Sequence, residues 1–215
     1  MSVTAIVPVK TYSERLESKN LQDFCGLPMY EHKFKQLKDV PFDKVVVSSE
    51  SKVVCGVARN YGFEAHQRDP KYSTPDIPMS EVFKYISSEV EGDDIAWVNV
   101  NNPLAGQAVY KDALKSWKRI REPADCLLSV TELQKYIFWE DEPLNWLPGE
   151  HPKSQDLHGL DALNFVVNIR PREDVIKDGH FIGEEPFLFY IDRYRATKVD
   201  YLEDLEFCRM LWKKS

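Results

Sequence analysis

Short β-branched apolar runs recur along this chain with a helical pattern between most of them, and that alternation restricts its possible folds more than any other feature. Val3 to Val9, Lys44 to Ser48, Phe63 to His66, Ile95 to Val100, Cys126 to Thr131 and Leu163 to Ile169 read as strands. Pro28 opens a helical pattern with Tyr30, Phe34 and Leu37 on one face, and a second helix runs from Ser51 to Asn60 and stops at Tyr61-Gly62. Met79 to Val90 and Gln107 to Ile120 carry the same periodicity. Strands and helices alternating at this spacing predict an α/β fold, a mostly parallel sheet flanked by helices on both faces. Right-handed crossovers then put a ligand at the carboxyl ends of the strands.

A length of 215 residues suits one domain. The rhythm breaks between Tyr136 and Asp161, where aromatics mix with Pro143, Pro148, Gly149 and Pro152. This segment reads as an inserted arm or hairpin, and its aromatics suit a contact between two copies of the chain; a long loop folded back on its own domain is the other reading. The last pattern, Asp200 to Trp212, predicts an amphipathic helix that buries Leu202, Leu205, Phe207 and Leu211.

A net charge of -7 argues against a broad nucleic-acid footprint, which needs concentrated positive surface. It does not argue against a small anion held by a local basic cluster. Cys25, Cys55, Cys126 and Cys208 are scattered without the spacing of a zinc site, and free thiols point to a reducing cytoplasm. The opening apolar run, with Pro8 inside it, reads as a strand rather than a signal peptide, and no stretch has the length to span a bilayer.

The loop after the first strand, Lys10 to Leu21, gathers Lys10, Arg15 and Lys19 with the donors Ser13 and Asn20. At the carboxyl end of an α/β strand, such a loop can surround a phosphate chain with cations and backbone amides. Solvated surface charge is the plainer reading of the same residues. Neither GxxxxGK[ST] nor GxGxxG is present, so P-loop and nicotinamide-binding schemes find no support.

Here the chain resembles the acylneuraminate and 3-deoxy-octulosonate cytidylyltransferases. Ser13, Arg15, Lys19 and Asn20 match the family's opening loop in register, and Gly26-Leu-Pro28 matches its Gly-x-Pro helix start. Ser48-Ser49-Glu50, Arg68 to Asp76, the turn from Val98 to Leu104, Ser154-Gln155-Asp-Leu, Asn164 and the closing Lys198-Val-Asp200-Tyr-Leu-Glu-Asp204 follow in the family's order. Lys10 stands where Arg is common, Glu14 where Lys is frequent, and Ala105 where Arg is common. Lys198 stands where one branch has an aspartate.

The resemblance implies a nucleotide-diphospho-sugar transferase-like domain that moves a cytidylyl group from CTP to an acidic sugar of the nonulosonic or octulosonic type. It assigns Lys19, Arg15 and Lys10 to the phosphates and catalysis, and Ser13, Asn20, Arg68, Asp76 and Asn99 to the nucleotide. Asn101, Asn102, Gln155 and Asn164 fall to the sugar, and Asp200 to a Mg²⁺ ion; an N-cap on the last helix is the other reading of Asp200. It also implies a homodimer joined through the arm. Another nucleotide or acceptor on the same fold, and a nucleotide-binding chain with weak catalysis, stay open as alternatives.

Overall fold

The computed structural model describes residues 1–157 and 159–213. Its strands are β1 (Val3–Pro8), β2 (Asp23–Phe24), β3 (Leu27–Pro28), β4 (Lys44–Ser49), β5 (Glu64–Gln67), β6 (Asp94–Trp97), β7 (Cys126–Leu133), β8 (Phe138–Trp139), β9 (Glu142–Pro143), β10 (Leu160–Pro171) and β11 (Pro186–Tyr190). Its helices are α1 (Met29–Leu37), α2 (Lys52–Asn60), α3 (Met79–Glu89), α4 (Gly106–Ile120), α5 (Arg172–Asp178) and α6 (Leu202–Trp212). Seven strands form the central sheet in the order β11-β7-β10-β6-β1-β4-β5. β1 pairs in parallel with β4 and β6, and β7 with β11, while β10 runs antiparallel to both its neighbours. The sheet is mostly parallel, as the alternation predicts, with one reversed strand that short-range pattern does not reveal.

Alternate residues of β1 supply opposite faces. Val3, Ala5 and Val7 join a core that includes Phe34 and Leu37 of α1, Ala58 of α2, Trp117 of α4 and Leu205 of α6. Ile6 points the other way, into a core built with Phe83 and Ile86 of α3, Val175 of α5 and Phe181. Both sides of the sheet are therefore covered, which suits its near-continuous apolar strands.

Two expectations need correction. Leu202 and Phe207 of α6 are about half exposed, at 51% and 48%, and Cys208 is buried beside Leu205 instead. Leu205 and Cys208 pack into the core and set the inward face of the helix, which leaves Leu202 and Phe207 on its outer face. The stretch from Ile95 to Val100 is strand only over Asp94–Trp97. Beyond Trp97 the chain leaves the ladder to form the turn at Asn101-Asn102, although the Val98 amide still donates to the Ile6 carbonyl at 2.9 Å.

The interruption after β7 is a hairpin, β8 and β9, reversed at Glu140 and Asp141 with φ of 49° and 67°. Tyr136 packs edge-on against Trp146 and stacks on His151, while Phe138 and Trp139 stay 62% and 67% exposed.

Candidate active site

The loop between β1 and the 3-10 turn at Lys19–Leu21 closes on itself and on its neighbours. The Asn20 side-chain amide donates to the Lys10 carbonyl at 2.9 Å, and Ser18 takes a left-handed φ of 48° just before the turn. The Thr11 amide and hydroxyl both donate to Glu50 Oε1 at 2.6 Å. Glu50 sits just past β4 and also accepts from Arg68 at 3.2 Å and from the Ser73 hydroxyl at 2.9 Å. One carboxylate thus ties the loop after β1 to the segment after β5. Burial alone would raise the Glu50 pKa, but the hydrogen bonds from Thr11, from its own backbone amide and from Ser73 outweigh it and hold the carboxyl below its ordinary value.

Asp200 meets this loop from the far end of the chain. Lys19 Nζ lies 2.8 Å from its Oδ1, while Arg15 and Lys198 reach its Oδ2 at 3.0 and 3.1 Å. Capping falls to Asp204, whose carboxylate accepts from the Asp200 and Tyr201 amides at 2.9 Å each. The Asp200 carboxylate is thereby left to the cations. Burial pushes its pKa up, and Lys19 and Lys198 together pull it below its ordinary value. Lys19 is shifted down by burial, against the pull of Asp200.

Between these anchors opens a cleft of about 460 Å³ along the carboxyl ends of β1 and β6. Lys10, Arg15, Lys19, Arg68 and Lys198 line it, against one carboxylate, Glu14. Pro75, Ile77, Val82 and Trp97 give it an apolar flank, and Asn99 and Asn101 close its floor. A positively lined cleft in a chain of net charge -7 concentrates anions locally, as a phosphate chain requires.

The residues singled out from the sequence divide into several groups. Lys10, Arg15, Lys19, Asn20, Arg68, Asn99 and Asn101 line the cleft. Ser13 is buried with its hydroxyl unpartnered, and so is Arg68 Nε. Asn102 is fully buried behind the turn, where its amide donates to the Ala196 carbonyl at 3.2 Å. Its backbone carbonyl accepts from Lys33 Nζ at 3.0 Å, and Gln36 donates to the Pro103 carbonyl at 2.6 Å, so α1 holds the turn from below.

Asn164 caps a bulge in β10. It accepts from the Ser129 hydroxyl at 2.6 Å and donates to Thr131 at 3.0 Å, while Phe165 sits at φ 56°. The Phe165 carbonyl accepts from the Asn99 amide at 3.1 Å, so the bulge sets one side of the cleft floor. Asp76 and Gln155 are exposed and outside the cleft lining. Lys198 and Glu50 received no role from the sequence. Lys198 was visible as a departure from the family pattern, whereas Glu50 gains its role only from partners on three segments.

The family model for cytidylyltransferases matches residues 4–147, more than half of the chain. The chain belongs to the cytidylyltransferase family. As a cytidylyltransferase it is a nucleotidyl-transferring enzyme, and its relatives agree along their length. It is 26% identical to the pseudaminic acid cytidylyltransferase of Campylobacter jejuni subsp. jejuni serotype O:2, over 99% of this chain and 97% of that one. It is 24% identical to the 3-deoxy-manno-octulosonate cytidylyltransferase of Aliivibrio fischeri, over 99% and 87%. Among solved structures, the CMP:2-keto-3-deoxy-manno-octonic acid synthetase complexed with CTP shares the fold at a TM-score of 0.70 and 15% identity, over 100% of this chain and 99% of that one. Among the described residues no helix is long and apolar enough to cross a membrane.

Proposed function

We propose that this cytidylyltransferase couples CTP to a hydroxyl of an acidic sugar of the nonulosonic or octulosonic class, giving a CMP-sugar and pyrophosphate. The observation that carries the reading is the cleft itself: five cations and one acid line a pocket at the carboxyl ends of the strands. The sugar oxygen forms a bond to the α-phosphorus as the bond to the β-phosphate oxygen breaks. Pyrophosphate departs with that electron pair, and the hydroxyl proton passes to water. Lys10, Arg15 and Lys19 stabilise the charge that builds on the leaving group, and catalysis comes mainly from position and electrostatics. Arg68, which lines the cleft and whose buried Nε has no partner, would supply a donor for the nucleotide.

The donor set at Asp200 is small for a Mg²⁺ ion. Among the described residues no group of three or more His, Cys, Asp or Glu is placed to hold a metal. A single hard carboxylate does suit an ion that keeps its waters and takes its other ligands from substrate phosphates. Asp200 would hold such an ion as its one carboxylate ligand, while Arg15, Lys19 and Lys198 beside it would face the phosphates. Bound there, the ion would draw charge from the α-phosphate.

The deciding experiment measures pyrophosphate release with each of the four NTPs, Mg²⁺ and a panel of acidic and neutral sugars. Release with CTP and an acidic sugar alone is expected. Release that prefers another NTP, or a neutral acceptor, would overturn the reading.

A further inference from the structure

Three cations share one carboxylate at the mouth of the cleft. Arg15, Lys19 and Lys198 all lie within 3.1 Å of Asp200, so the group carries positive charge that its own partner does not cancel. The backbone fixes Lys198 in this place. The Val199 amide donates to the Asn101 carbonyl at 2.8 Å, and the Asn101 side chain donates back to the Val199 carbonyl at 3.3 Å. Val199 is fully buried in the core, and of its two neighbours Lys198 lines the cleft while Asp200 pairs with the cleft-lining Arg15 and Lys19. Lys198 keeps 42% of its side chain exposed and lines the cleft with Lys10 and Arg68. An ammonium held at a cleft mouth, half-hydrated and sharing a saturated counter-ion, is available to a polyanion at little cost in desolvation.

We infer that Lys198 is a phosphate-binding residue, and that together with Arg15 and Lys19 it lets the cleft hold a triphosphate chain without a divalent cation. The inference rests on a phosphate chain entering this cleft, as the proposed function requires, but not on the base or the acceptor. Any divalent ion then serves the transfer step rather than nucleotide capture. Lys198 acts by fixed charge, so arginine can replace it and a carboxylate cannot.

The test is calorimetric titration of inorganic triphosphate into the full chain, in EDTA and in Mg²⁺, at one ionic strength. Wild-type protein is expected to bind in EDTA with an affinity within about threefold of that in Mg²⁺. Lys198→Ala should lose about tenfold in EDTA, one ion contact's share. Lys198→Arg should stay near wild type, and Lys198→Asp should bind only when Mg²⁺ is present. Thermal melting of each variant reports folding independently. Wild-type binding that needs Mg²⁺, or a folded Lys198→Ala that binds as wild type does in EDTA, would overturn the inference. Triphosphate capture of the expected kind without CTP turnover would sink the proposed reaction and leave this inference standing. CTP turnover with a silent Lys198→Ala would do the reverse.

Discussion

Two aspartates one helical turn apart divide the work at the start of α6. Asp204 accepts the amides of Asp200 and Tyr201, and Asp200 is left to pair with three cations. Replacing Lys19 leaves Asp200 with Arg15 and Lys198, so no carboxylate is stranded. Lys19→Ala should therefore melt within a few degrees of wild type while kcat falls by about 10²–10³, the range for one lost transition-state donor; unchanged turnover would remove Lys19 from the site. Glu50 behaves differently. Its removal strands Arg68, whose side chain is 3% exposed, and frees both loops it ties. Glu50→Gln should cost about 3 kcal/mol by denaturant titration, the scale for breaking one side of a buried pair. Its folded carboxyl lies below the ordinary value of about 4.3. That stabilisation is present above the ordinary value and is lost as pH falls through the lowered folded one. A melting series from pH 7 down to pH 3 should fall more steeply for wild type than for Glu50→Gln. That Lys19 and Arg15 meet Asp200 was legible in the sequence, because each belongs to a compact local motif. The part played by Glu50 was not, because its partners come from segments that meet only in the folded chain.

Among the elements, the bulge in β10 shapes the cleft floor most directly. Register shifts between Leu163 and Asn168, and Phe165 is held at a positive φ that a bulky residue avoids unless its surroundings impose it. Asn164 is what imposes it, through Ser129, Thr131 and the Val166 amide. The family resemblance assigns Asn164 to the sugar; in the structure its hydrogen bonds hold the bulge whose Phe165 carbonyl accepts from Asn99. Asn164→Ala should lower stability by about 1–3 kcal/mol, the cost of buried partners left unpaired, and raise KM for CTP more than it lowers the melting point would suggest. A variant destabilised by that amount with KM unchanged would separate the bulge from substrate binding. The misread face of α6 has a related cause. Periodicity marked Leu202 and Phe207 as apolar, and only the packing of Leu205 and Cys208 decides which side faces the sheet.

At the level of the whole molecule, the parallel core was legible because β1, β4, β5 and β6 alternate with helices, whereas the reversal of β10 was not, since its apolar run reads the same whichever way its neighbours point. We propose that the chain pairs with a second copy through the arm, on the strength of Phe138 and Trp139, which lie outside either core. Light scattering at micromolar concentration should give twice the 25.0 kDa chain mass, and Phe138→Ser with Trp139→Ser should return it to one; a monomeric wild type would count against the pairing. The reversal of β10 also decides where this chain tolerates a change in length. The hairpin leaves from the end of β7 and its continuation returns to the start of β10, two strands that are already neighbours. Residues added at its tip would shift no ladder and would add only the slowly growing entropy of a longer closed loop. One residue added between Leu163 and Asn168 would turn every following side chain of β10 to the opposite side of the sheet. Duplications and deletions in the lineage of such a chain should therefore collect around Glu140 and Asp141 and spare the five residues that follow Leu163.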